Sequence, residues 1–105
     1  MVRNRMAKRL IDNETDIVHA ATAMKAIAHP LRLKILCVLA DGELSVQDIV
    51  DQVGTSQSNI SQHLSILRDK AVLTTRKDAN RVYYRINDTR VIKLVTMTRD
   101  VFCST

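Results

Sequence analysis

Apolar positions along the chain fall at two different spacings, and the change from one to the other divides it. Over residues 13–28, Ile17, Val18, Ala21, Met24, Ile27 and Ala28 recur three and four apart, the period of an amphipathic helix. His29-Pro30 ends this segment, because a residue before proline is pushed out of helical conformation. Pro30 then suits the first turn of a new helix over 30–40. That helix is apolar nearly all round, with Leu31, Leu33, Ile35, Leu36, Cys37, Val38 and Leu39, and so belongs at the centre of a core. Asp41-Gly42 stops it.

Ser45 followed by Asp48 has the form of an N-cap with an acidic first turn. The short helix it opens runs to Val53 and closes on Gly54. A new start at Thr55 or Ser56 leads to a helix over 56–70. Two helices joined by so short a glycine-containing turn are the signature of a helix-turn-helix. The period then switches. Val72 to Lys77 and Arg81 to Ile86 are β-branched or aromatic runs separated by Asp78-Ala79-Asn80, which predicts a β-hairpin with a three-residue loop. Asn87-Asp88 offers a cap for a last helix over 89–102, with Val91, Leu94, Val95, Thr98, Val101 and Phe102 along one side.

The order is four helices, a β-hairpin and a C-terminal helix. The expected architecture is a mainly α winged helix-turn-helix that forms a homodimer through its first and last helices. One domain over residues 13–105 follows a basic leader over 1–12 that carries Arg3, Arg5, Lys8 and Arg9. Hydrophobic residues make up 46% of the 105, but only two Tyr and one Phe are aromatic, so the core is thin and dimerisation is a natural way to enlarge it. The net charge of +5 fits an anionic partner such as nucleic acid. Neither a membrane span nor a signal peptide is expected, which points to the cytoplasm, where Cys37 and Cys103 would stay reduced.

Within helix 56–70, Ile60, Leu64 and Leu67 share one face. The opposite face carries Ser58, Gln62 and Ser65, flanked by Gln57, Asn59 and Ser61. A merely solvated helix is usually built from Lys and Glu, and Ser and Asn lower helix propensity. Short amides and hydroxyls can instead bond base edges in the major groove of double-stranded DNA. Arg68 and Lys70 suit phosphate or solvent. His63, at the edge of the buried face, reads as a hydrogen-bonded histidine at the core boundary, with base contact as the alternative. Arg76, Lys77, Arg81 and Arg85 on the hairpin suit phosphate or minor-groove contact. A charged edge that blocks strand pairing is the other physical reading. One of Tyr83 and Tyr84 should pack inward and leave the other partly exposed.

Four stretches, AIAHPLRLKILCVL, ELSVQDIV, TSQSNISQHLSILRDKAVL and TTRKDANRVYYRI, closely resemble the ArsR/SmtB family of bacterial regulators. The resemblance runs from about Met24 to Phe102 and implies a homodimeric repressor that releases its operator when a ligand or oxidant modifies the dimer. It places base reading on Gln57, Ser58, Ser61 and Gln62. Metal-sensing relatives carry a thiol motif at the first helix of the helix-turn-helix, where this chain has Leu44-Ser45-Val46-Gln47-Asp48. They also carry histidines in the last helix, where this chain has none. His19, His29 and His63 form no ligand set, so neither a metal nor a cofactor is expected.

Cys37 and Cys103 resemble, in position and context, the pair of the persulfide-sensing SqrR/BigR-like branch. That resemblance implies a dithiol switch in which reactive sulfur species act as inducer, joining the cysteines by a polysulfide bridge and lowering DNA affinity. A simple disulfide needs Cα atoms within about 4.4–6.8 Å, so a wider pair would take only a bridge with extra sulfur. Cys37 also reads as a small core residue, and Cys103 faces the negative end of a helix dipole. Alternatives are an ArsR-type repressor answering to another oxidant or to a metal at a non-standard site, or a winged helix that binds protein. A redox enzyme is excluded for want of CxxC or a cofactor loop.

Overall fold

The computed structural model of the chain describes residues 10–103. Most of the expected basic leader, including Arg3, Arg5, Lys8 and Arg9, lies outside the described residues. Within them the order is α1 (Glu14–Ile27), α2 (Pro30–Leu39), β1 (Leu44–Ser45), α3 (Val46–Val53), α4 (Gln57–Asp69), β2 (Leu73–Asp78), β3 (Arg81–Ile86) and α5 (Arg90–Phe102). No described helix is long and apolar enough to cross a membrane.

The helix boundaries follow from local chemistry. The Asn13 side chain accepts from the Asp16 amide and opens α1. His29 stands at the next cap in extended conformation, and its Nδ1 accepts from the Leu31 amide at 3.1 Å while Pro30 begins α2. Ser45 and Ser56 cap α3 and α4 by accepting from Asp48 and Asn59, each at 3.2 Å. Gly54, at φ 86°, closes α3 in the left-handed region. Asp88 accepts from the Arg90 amide at 2.9 Å at the head of α5, while Asn87 donates its side-chain amide to the Ala71 carbonyl.

Two expectations needed correction. The sheet has three strands, in the order β1-β3-β2, because Leu44 and Ser45 pair antiparallel with Tyr84 and Tyr83. Two residues carry no periodicity, so only the pairing reveals them as a strand. The hairpin loop is also shorter than expected. Asp78 pairs with Arg81, leaving Ala79-Asn80 as a two-residue turn with Ala79 at φ 55°. Such turns demand a positive φ that glycine usually supplies, and here alanine takes it.

The core gathers Ile35, Leu36 and Leu39 from α2, Ile49 and Val53 from α3, and Ile60, Leu64 and Leu67 from α4. Val72, Leu73 and Ile86 close it from the sheet side. Tyr84 packs against this cluster, whereas Tyr83 lies half-buried under Arg76. The outer helices differ sharply from the inner ones. α1 buries only Ala26 and α5 buries no residue.

Candidate functional site

The helix-turn-helix presents α4 as the periodicity requires. Ile60, Leu64 and Leu67 are fully buried, while Gln57, Ser58, Ser61, Gln62 and Ser65 are exposed. These five side chains place amides and hydroxyls on the outer surface of one helix. Asn59 sits differently: it is half-buried, and its side-chain amide donates to the Thr55 hydroxyl across the turn at 3.3 Å. The Asn59 side chain, in the first turn of α4, therefore reaches back to the connecting turn rather than standing on the outward face.

On the wing, Lys77, Arg81 and Arg85 are exposed, and none forms an ion pair with another described residue. Arg76 stands apart from them. Its Nε donates to both oxygens of Glu43 at 3.2 Å, its Nη2 also donates to Glu43, and its guanidinium lies 4.7 Å from the centre of the Tyr83 ring. The hydrogen bonds from Arg76 hold the Glu43 carboxyl below its ordinary pKa, so the pair stays charged through neutral pH. This clamp ties the first half of the hairpin to the loop before β1.

His63 is half-buried at the boundary of the core, with the Arg32 Nη1 3.2 Å from its Nδ1 and the His29 ring 4.5 Å away. Burial, followed by the neighbouring His29 and Arg32, pushes its pKa down, as a boundary histidine next to a cation requires.

A second feature lies between α2 and α5. A cavity of about 380 Å³ has Leu33, Leu36, Val91, Ile92, Val95 and Arg99 in its lining, and both Cys37 and Cys103 belong to its wall. The two thiols are free and exposed. Cys37 comes from the middle of α2, whereas Cys103 follows the last turn of α5, where its amide donates to the Arg99 carbonyl at 2.8 Å. Nothing local in the sequence joins these positions; the packing of α5 against α2 does.

The third feature is an uncovered apolar surface. Ile17, Val18 and Met24 of α1 and Leu94, Met97, Val101 and Phe102 of α5 are all exposed, Phe102 at 80% and Met97 at 61%. A groove lined by Met24, Ile27, Leu94 and Val95 makes the two helices one continuous face. The uncovered stripes lie on the first and last helices, the two that the sequence pattern leaves for a homodimer contact.

A helix-turn-helix with a charged wing and a polar outward helix face defines a DNA-binding regulator. Residues 29–71 match the family described as "Bacterial regulatory protein, arsR family". The biofilm growth-associated repressor of Xylella fastidiosa is 34% identical over 99% of this chain and 85% of its own length. The transcriptional activator HlyU of Vibrio cholerae is 37% identical over 90% of this chain and 87% of its own. The solved structure of the Xylella repressor BigR superposes with a TM-score of 0.78 at 32% identity, covering 88% of this chain and 94% of that one. The HlyU structure gives a TM-score of 0.78 at 37% identity over 88% of this chain and 100% of that one, and a reduced form of HlyU gives 0.76 over 87% and 96%. A homodimeric winged helix-turn-helix domain from Mycobacterium bovis gives 0.77 at 28% identity, with 89% of each chain covered. The chain belongs to the arsR family of transcriptional regulators, which bind DNA and are not enzymes.

Proposed function

We propose that the chain is a homodimeric transcriptional repressor whose operator affinity falls when reactive sulfur species link Cys37 to Cys103. The observation that carries this reading is the shared wall: the thiols of α2 and α5 line one apolar cavity. A sulfur chain is itself apolar and suits such a lining. The relatives named as a biofilm growth-associated repressor and as a reduced HlyU support the reading, as does the homodimer from M. bovis.

DNA recognition falls to Gln57, Ser58, Ser61 and Gln62 in the major groove, with Lys77 and Arg81 of the wing on phosphate. Asn59 supports this set by holding the turn. The switch proceeds by thiol–polysulfide exchange. One thiolate attacks an inner sulfur of a hydrogen polysulfide and expels a shorter hydrosulfide chain, becoming a protein hydropolysulfide. The second thiolate attacks the sulfur before its terminal one and expels hydrosulfide. The two thiols are thereby oxidised and the polysulfide reduced, with no further oxidant. A bridge between α2 and α5 fixes the position of a helix that carries half of the apolar face, and so changes the spacing of the paired reading helices. In a dimer these must enter grooves about 34 Å apart.

The test is binding of a duplex enriched by the reduced protein from a random pool, measured before and after sodium tetrasulfide. Affinity should fall on treatment, and intact mass should show one chain with extra sulfur joining its two cysteines. Cys37→Ser and Cys103→Ser should each abolish the response. A double serine variant that still responds fully rules the thiol switch out. Loss of two hydrogens with no added sulfur identifies a disulfide switch answering to another oxidant.

A further inference from the structure

The end of α1, the start of α2 and the middle of α4 meet at three side chains that neither the outward face nor the thiol cavity uses. Arg32 of α2 donates from Nε to the carbonyl of Ala26 in the last turn of α1, and its Nη1 lies 3.2 Å from Nδ1 of His63 on α4. The ring of His29, the cap of α2, lies 4.5 Å from that of His63 at an interplanar angle of 39°. All three residues are half-buried.

A guanidinium donates only and stays protonated, so Nδ1 of His63 must accept. His63 is therefore a neutral ring with its hydrogen on Nε2. Nδ1 of His29 accepts from the Leu31 amide and so carries no hydrogen either. We propose that Arg32 is a positioning residue that ties the last turn of α1 to the reading helix through a neutral His63, and that a proton on His63 releases the tie. The proposal rests on α4 being the helix that reads DNA.

Its consequence is mechanical. α1 carries part of the uncovered apolar face, and α4 carries the outward amides, so their relative placement sets where a reading helix sits in an assembly. One guanidinium spans the two. A proton on Nδ1 turns the acceptor into a donor facing a donor and puts a cation 3.2 Å from Arg32. The groups that act on His63 are His29 at the junction and Arg32 on α2. Because its folded pKa lies below the ordinary value of 6.5, the tie is whole above that value and is lost as pH falls through the depressed one.

The test uses the full chain in two measurements between pH 5 and 8. Nitrogen NMR of the histidine rings follows His63, and fluorescence anisotropy compares a duplex enriched by the wild type with the unenriched pool. In the wild type, Nδ1 of His63 should be unprotonated at neutral pH, and the affinity ratio of the two DNAs should fall in step with the titration of His63. Arg32→Met should lower that ratio roughly fivefold at pH 7.5 and leave the salt dependence unchanged, since no phosphate contact is removed. His63→Gln has an amide oxygen that accepts from Arg32 at any pH, and its ratio should stay flat. A His63→Gln profile that falls like the wild type, or an Nδ1 protonated at neutral pH, overturns the proposal even if Arg32→Met does not fold. Failure to enrich any duplex overturns the DNA-reading assignment instead, and the ring nitrogens then decide the tie by themselves.

Discussion

Two helix ends among the described residues adopt the left-handed conformation, one with glycine and one without. Gly54 follows α3 at φ 86°, and Ala71 follows α4 at φ 60°. Around Ala71 the Val72 amide donates to the Leu67 carbonyl and the Ala71 amide to that of Arg68, both at 2.9 Å, which is a Schellman closure with Val72 and Leu67 buried beside it. An L-residue there costs about 1–2 kcal/mol against glycine, partly offset by the greater freedom of glycine in the unfolded chain. Ala71→Gly should therefore stabilise by up to about 1 kcal/mol, and Gly54→Ala should destabilise by about the same. A Cβ at Gly54 meets nothing within 4 Å, so its penalty is backbone strain alone. Urea unfolding at one fixed protein concentration checks both. Gly54 is legible in the sequence as a helix stop and Ala71 is not, because alanine carries no signal of a left-handed turn.

At the scale of elements, the cations of the wing differ in their contacts. Arg76 is bound to Glu43 and lies over Tyr83, holding the hairpin to the loop before β1, whereas Lys77 and Arg81 have no partner among the described residues. Exposed pairs contribute little singly, but a guanidinium fixed on both carboxylate oxygens and an aromatic ring is a network. Lys77→Ala should weaken enriched and random duplex equally and reduce the slope of log affinity against log salt by about one. Arg76→Ala, by contrast, should leave that slope near its wild-type value, because its charge is already matched. Anisotropy titrations at several salt concentrations distinguish the two. Four basic residues in a strand pattern looked equivalent in the sequence. Only the approach of Glu43, 33 positions away, assigns one of them elsewhere.

At the scale of the molecule, the inner helices and sheet close a core while α1 and α5 leave theirs open. Monomeric proteins rarely expose a contiguous apolar surface of this kind. Met97→Glu places a charge at the middle of the α5 stripe and should convert a dimer to monomers in sedimentation velocity. The same variant should bind the enriched duplex far more weakly, since two half-sites are no longer engaged together. Retention of a dimer would place the contact on another face.

The sequence by itself determined the order of helices and hairpin, the inward face of α4, the cap at Ser45 and the start of α2 at Pro30, because these depend on neighbours within one or two turns. It also fixed the polar character of Gln57, Ser58, Ser61 and Gln62. Tertiary structure alone decided what depends on distant segments meeting. It paired β1 with β3, turned the Asn59 side chain back to Thr55, bound Arg76 to Glu43 and set His63 between Arg32 and His29. It also brought Cys37 and Cys103 to one cavity wall. Periodicity reports which side of an element is apolar, but the partner that covers it is fixed only when the chain closes on itself.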